Sequence, residues 1–141
     1  DRIDVGPTGL VITDYKTGTP PNARKVTSGL SPQLPLEAAI ALEAGFAHVP
    51  PGTIRALRYI RASGGEPPGE EIDIKCADIA ALATDTLNGL KSHIARFDDP
   101  LTPYRPVRRQ GFSYEFDEFA HLARVAEWSS NEGDGAEEGE A

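Results

Sequence analysis

Asp1-Arg2-Ile3-Asp4-Val5-Gly6-Pro7-Thr8-Gly9-Leu10-Val11-Ile12-Thr13-Asp14-Tyr15-Lys16-Thr17-Gly18 is the stretch on which the fold turns. Two β-branched, alternating runs flank the break Gly6-Pro7-Thr8-Gly9, which predicts two strands joined by a tight hairpin loop. Closed symmetrically about that loop, the hairpin sets Val5 opposite Leu10, Ile3 opposite Ile12 and Asp1 opposite Asp14. Side chains alternate across a strand, so Asp1, Ile3, Val5, Leu10, Ile12, Asp14 and Lys16 share one face. Two carboxylates opposed on an otherwise apolar face repel each other. A divalent cation would relieve that repulsion, and Lys16 stands beside Asp14 on the same face. The spacing describes a metal-site geometry.

Outward from the hairpin, residues 17–31 are rich in Thr, Pro, Gly and Asn and include Arg24 and Lys25. They show no period, which predicts a long loop of the kind that carries function or moves. Ser31-Pro32 predicts a helix start, with Ser as the N-cap and Pro at the first helical position. That helix, over 32–45, carries Leu34, Leu36, Ala38, Ala39, Ile40, Ala41 and Leu42 and ends at Gly45. Its second proline, Pro35, falls in the first turn, where a missing N–H does no harm. Residues 53–62 read as a third strand, with Arg55 and Arg58 as charges on its face, and 71–75 as a short edge strand. The longest helix is predicted over 77–97, with Ile79, Leu82, Ala83, Leu87, Leu90, Ile94 and Phe97 at helical spacing. Beyond it come a basic, proline-rich segment over 98–110, a short run at 112–116, and a last helix over 117–128 anchored by Trp128.

At 141 residues the chain is one domain's worth. It opens inside a predicted strand and without Met, so it reads as a piece of a longer polypeptide. No stretch approaches the roughly 20 apolar residues of a membrane span, and no secretory signal stands at the start. Cys76 is the only cysteine, which excludes an intrachain disulfide and any multi-cysteine zinc or iron–sulfur site in this piece, and favours a cytoplasmic setting. The net charge of −8 is unevenly spread: Glu132, Asp134, Glu137, Glu138 and Glu140 lie in the last eleven residues, with no basic residue among them. That composition predicts a disordered acidic tail over 131–141, behind a much less acidic body over 1–130. His48, His93 and His121 lack metal-ligand spacing and are expected to be structural, as is Cys76.

Phosphodiester hydrolysis by paired carboxylates and a lysine has a plain physical logic. Hard oxygen ligands hold magnesium, and the ion neutralises phosphate charge and acidifies a water. The lysine can orient that water or stabilise the charge that develops. Asp-x-Lys is also the pattern of a surface ion pair, and spacing alone leaves the two readings level.

The residues themselves carry more. Asp1-Arg2-Ile3-Asp4, followed by Val11-Ile12-Thr13-Asp14-Tyr15-Lys16-Thr17-Gly18, resembles motifs II and III of the RecB-like branch of the PD-(D/E)xK nucleases. Gln33-Leu34-Pro35-Leu36 matches the Gln-led helix that follows in that branch. The blocks Pro-Gln-Leu-Pro-Leu-Glu-Ala-Ala (32–39) and Leu-Ala-Arg-Val-Ala-Glu-Trp (122–128) are similar to the C-terminal nuclease domain of the AddB family, in its alphaproteobacterial form. AddB proteins are subunits of a helicase–nuclease that processes double-strand breaks.

The resemblance implies a restriction-endonuclease-like α/β core, a mixed sheet flanked by the 32–45 and 77–97 helices. It implies metal-dependent DNA cleavage, with Asp1 and Asp14 as metal ligands, the Tyr15 carbonyl as a third, Lys16 as catalytic and Gln33 positioning the site. The cofactor is magnesium, with manganese as its substitute, and without an iron–sulfur cluster. DNA ends and an AddA-type subunit are the implied partners, and ATP binding lies elsewhere, since no phosphate loop is present. Arg24, Lys25, Arg105, Arg108 and Arg109 are candidate phosphate contacts, although the last three also suit a solvated linker. Two departures stand out: Glu37 occupies the position usually held by Tyr, and the upstream motif I helix lies outside the fragment. They leave a non-catalytic DNA-guiding or subunit-docking module as the alternative, and a purely structural α/β domain as a third reading.

Overall fold

The computed structural model describes residues 1–104 together with residue 122. The chain divides into two compact units, Asp1–Asp99 and Pro100–Ala141. The first holds a four-stranded mixed sheet with flanking helices. Its elements run β1 (Arg2–Gly6), β2 (Gly9–Lys16), α1 (Ala23–Thr27), α2 (Gln33–Leu42), β3 (Ile54–Arg61), β4 (Glu70–Asp73) and α3 (Ile79–Phe97). The expected segments over 105–121 and 123–141, including the last helix, Trp128 and the acidic tail, lie outside the described residues.

The opening hairpin closes in the expected register. Arg2 pairs with Thr13, Ile3 with Ile12, Asp4 with Val11 and Val5 with Leu10. Strand β2 then pairs with β3 in parallel, and β3 with β4 antiparallel, so the sheet order is β1-β2-β3-β4. Parallel neighbours need a crossover, and α1 and α2 supply it between β2 and β3. The core lies on the face of the sheet that bears Leu10, Ile12, Leu57 and Tyr59, where Val26, Leu34, Ala38, Ala41 and Ala83 are also buried. Alanines along α2 let it sit close to both the strands and α3. Only the first half of α3 contributes to this core: Leu90 and Ile94 are exposed beyond Leu87.

Several boundaries differ from expectation. The 17–31 loop contains the short helix α1, capped by the Asn22 side chain, which accepts from the Lys25 N–H at 2.9 Å. It is held by one fully buried residue, Val26. A single apolar anchor gives no period to read. Helix α2 starts at Gln33 with Pro32 as its cap residue, and Ser31 does not cap it. The Ser31 N–H instead donates to the Lys25 carbonyl, closing the end of α1, and the Pro32 carbonyl accepts from Leu36. The helix ends at Leu42; Ala44 adopts a positive φ of 53° and the Gly45 N–H closes back on the Ile40 carbonyl. The edge strand is Glu70–Asp73 rather than 71–75, and α3 begins at Ile79 behind Asp78, whose carboxylate accepts from the Ala81 N–H.

Charged side chains hold the outer strands. Arg58 stands opposite Asp73 across β3 and β4, with Nε donating to Oδ1 at 2.7 Å, and it also meets Glu71 at 3.0 Å. The hydrogen bond from Arg58 holds the Asp73 carboxyl below its usual range. A solvated cross-strand pair of this kind is worth up to about 1 kcal/mol. Arg55 donates to the Thr8 hydroxyl at 2.8 Å, so both strand arginines act as face charges that tie neighbouring segments.

The tightest constraint is at Gly9, where β2 begins. Its φ is +132°, and a Cβ there would lie 2.3 Å from the Thr53 carbonyl oxygen, which accepts from the Leu10 N–H. Gly9→Ala is therefore expected to cost about 2–4 kcal/mol through backbone strain and a clash with main chain. Gly18→Ala, where nothing lies within 4 Å of the added carbon, should stay within about 0.5 kcal/mol of the parent. Urea unfolding of the two variants beside the parent checks both.

Candidate functional site

Strand β2 ends in Asp14 and Lys16, and its residues alternate between faces. Leu10, Ile12 and Asp14 are consequently buried on the core side, with Asp14 only 3% exposed. A carboxylate in that position must be compensated by hydrogen bonds or by a countercharge. Lys16 Nζ lies 2.6 Å from Asp14 Oδ2. The contact is an ion pair off the angle of a hydrogen bond, and Oδ2 accepts no hydrogen bond among the described residues. The other oxygen, Oδ1, accepts from Gln33 Nε2 at 3.1 Å.

Gln33 opens α2 and links the site. Its Oε1 accepts from Lys16 Nζ at 3.1 Å, while Nε2 donates toward Asp1 Oδ2 at 3.2 Å as well as Asp14. The amide orientation follows from chemistry, because the reverse would set oxygen against carboxylates and N–H against an ammonium. Residues four apart share a helix face, so Glu37 comes back to the same point, with Oε1 3.1 Å from Gln33 Nε2. Asp1, Asp14, Lys16 and Gln33 are thus drawn together from three elements, and Glu37 joins them.

Side chains that the sequence did not mark also line this end of the sheet. In the parallel register, Tyr59 stands opposite Asp14 and Arg61 opposite Lys16. Tyr59 is buried, with Lys16 Nζ 5.9 Å from its ring centroid. Arg61 follows Leu57 and Tyr59 on the same strand face, and its Nε is buried without a hydrogen-bond partner among the described residues. Neither was legible beforehand, because the pairing of β3 with β2 passes through a long crossover. For Glu37 a signal did exist, its four-residue step from Gln33.

The other expected residues lie elsewhere or beyond view. The Tyr15 side chain is exposed and accepts from Arg2 at 3.4 Å. Arg24 and Lys25 are exposed on α1. Arg105, Arg108 and Arg109 lie outside the described residues.

The donor set suits a hard divalent cation. Magnesium is commonly held by one or two carboxylates plus water and substrate phosphate rather than by a full protein cage. Asp1 and Asp14 offer two carboxylates joined through one amide, and Asp14 Oδ2 is an acceptor with no hydrogen bond to lose. Among the described residues no three His, Cys, Asp or Glu side chains form a ready cation cage, and no described helix is long and apolar enough to cross a membrane.

Comparison with known proteins places these features in a family. A family model described as "PD-(D/E)XK nuclease superfamily" matches residues 1–128. An uncharacterized protein of Rickettsia conorii is 30% identical over 146 residues, covering 88% of this chain and 17% of its own length. An uncharacterized protein of Rickettsia bellii is 30% identical over 131 residues, covering 83% of this chain and 14% of its own. One from Rickettsia typhi is 49% identical over 47 residues, which is 33% of this chain and 5% of that protein. The chain therefore spans less than a fifth of the length of the curated relatives it matches. No solved structure matches it.

Burial, followed by the charges of Asp14 and Glu37, pushes the Tyr59 phenol up to about 12 from 10. The fold thus favours the neutral phenol, and that stabilisation is complete below the unfolded value. As pH rises from about 10 to about 12, the unfolded chain ionises first and up to about 2 kcal/mol is lost. Tyr59→Phe should lack this component, which urea unfolding across alkaline pH will read as a shallower fall in stability than the parent shows.

Proposed function

Because the chain belongs to the PD-(D/E)XK nuclease superfamily, we propose that it is a magnesium-dependent deoxyribonuclease domain acting through Asp1, Asp14, Lys16 and Gln33. Nucleases of this superfamily generally use divalent metal ions, and DNA is the substrate the superfamily implies. The observation that carries the reading is the link among four side chains: the Gln33 amide joins Lys16, Asp14 and Asp1, with the ammonium 2.6 Å from the buried carboxylate. A surface ion pair needs no burial and no third and fourth partner.

In this reading Asp1 and Asp14 hold the ion, magnesium or in its place manganese, and the Tyr15 carbonyl completes the protein's share. The bound ion supplies positive charge to the phosphate oxygens and acidifies water. Lys16, fixed by Gln33 Oε1, is held to face the oxygen on which charge develops. Its neighbour Arg61 provides a second cation at the same strand ends for the phosphate backbone. Arg24 and Lys25, exposed on α1, would contact DNA phosphates, and Arg105, Arg108 and Arg109 are further candidates by sequence alone.

The Asp-Tyr-Lys and Gln-Leu-Pro-Leu-Glu blocks support a narrower assignment, the C-terminal nuclease domain of an AddB-type subunit. As such it trims double-strand break ends for recombination in the cytoplasm, beside an AddA-type partner, with residues 1–130 as the nuclease domain and 131–141 as an acidic tail.

Linear duplex DNA incubated with magnesium should be cleaved by the domain extended upstream to include motif I, the fragment alone being expected weak or inactive. Asp14→Ala or Lys16→Ala in the extended domain should each lower the rate about a hundredfold or more. Equal and negligible cleavage by all three would sink the nuclease reading. If DNA binding persisted in that case, the domain would instead be a non-catalytic guiding module.

A further inference from the structure

Lys16 on β2, Arg61 on β3 and Glu70 on β4 stand in one row across the sheet, each opposite the next. Paired positions share a face, so the row sets two cations and one carboxylate side by side at the carboxyl ends of β2 and β3. Elementary electrostatics would join Arg61 to Glu70. Among the described residues no ion pair forms between them, and Arg61 Nε is buried without a hydrogen-bond partner. The other arginines of β3 behave differently. Arg58 holds Asp73 at 2.7 Å and Glu71 at 3.0 Å, and Arg55 reaches the Thr8 hydroxyl at 2.8 Å. Lys16, on the far side of Arg61, has its charge matched by Asp14 and its ammonium held by Gln33. The Arg61 charge is matched by nothing among the described residues. A like charge opposite it and a buried N–H with no acceptor are both unfavourable, and an anion at the strand ends relieves both. The planar fork of a guanidinium fits the oxygens of a phosphate.

We propose that Arg61 positions the DNA strand by holding the phosphodiester next to the scissile one, and that it does so without the metal ion. The inference rests on the nuclease reading and deepens it by dividing the work of the two cations. Lys16, tied to Asp14, serves the reacting phosphate. Arg61 lies one strand over, and neighbouring strands are about 4.8 Å apart, which offsets its guanidinium toward the adjoining phosphate. A side chain kept from the nearest acid is ready to take up an anion from outside, at no cost in a broken ion pair.

Fluorescence anisotropy of a labelled single-stranded DNA oligonucleotide, titrated with the protein in chelator from low salt upward, tests this apart from cleavage. Arg61→Gln should weaken binding on the order of tenfold and lower the salt slope by about 0.7, the increment for one phosphate contact on a single strand. Arg61→Lys keeps the charge without the fork, and should restore the slope while recovering only part of the affinity. Arg61→Gln should melt within about 3 °C of the parent, because no ion pair is lost. If it melts lower, Arg61→Lys decides: a restored slope supports the phosphate contact, and a slope still at the Arg61→Gln level overturns it. Equal melting losses in Arg61→Gln and Glu70→Gln, with DNA binding at the parent's level, would reveal an ion pair across β3 and β4 and overturn the proposal. So would a parent that binds the oligonucleotide only when metal is added. The two levels of the argument separate cleanly. If Asp14→Ala abolishes cleavage by the upstream-extended domain while Arg61→Gln binds DNA like the parent, the inference about Arg61 fails and the nuclease reading stands. If binding depends on Arg61 but the extended domain does not cleave, the nuclease reading fails and the phosphate contact stands.

Discussion

A buried carboxylate at Asp14 is the constraint to which the rest of the site answers. It occupies a core-facing position on β2, in line with Leu10 and Ile12, where an apolar side chain would cost nothing. Keeping a charge there requires partners, and they arrive from separate parts of the chain: Lys16 from the same strand, Gln33 from the next long helix. Each partner is itself tied, Lys16 to Gln33 and Gln33 to Asp1 and Glu37. Removing one member would leave another buried polar group uncompensated, so the group behaves as a unit rather than as separate contacts.

The sheet makes that convergence possible. With β1 antiparallel and β3 parallel to it, β2 has hydrogen-bonded neighbours on both sides, and its C-terminal end is where Asp14 and Lys16 emerge. The crossover to β3 returns α2 across the core face, bringing its first turn to those residues. Small side chains at Ala38, Ala39 and Ala41 let the helix come close, and the near contact of Gly9 with the Thr53 carbonyl fixes where β2 begins beside the lead into β3. In open α/β sheets, the carboxyl ends of parallel strands are a recurrent place for a site, because loops and helix starts gather there.

How much was legible varies from one residue to the next. The hairpin register, and with it the approach of Asp1 to Asp14, could be read directly, since a two-residue alternation and a Gly-flanked turn leave little freedom. Gln33 was suggested by the block that follows the lysine strand. Helix α1 escaped notice because Val26 alone anchors it. Ser31 looked like a cap, but α2 begins one residue later than expected, so the cap position falls on Pro32, which has no side-chain acceptor. Tyr59 and Arg61 were invisible as neighbours of Asp14 and Lys16, since nothing local encodes the offset between parallel strands joined through two helices.

The sequence by itself determined the hairpin, the shared face of Asp14 and Lys16, and the existence of α2, α3 and β3. Those features depend on period, turn chemistry and neighbours a few residues apart. Tertiary structure alone decided that the Gln33 amide would reach Asp1 and Asp14, and that Tyr59 and Arg61 would flank the pair. Those features depend on how closely α2 approaches β2 and on how β3 is registered against it. Both are set by the packing of distant surfaces, which no local pattern records.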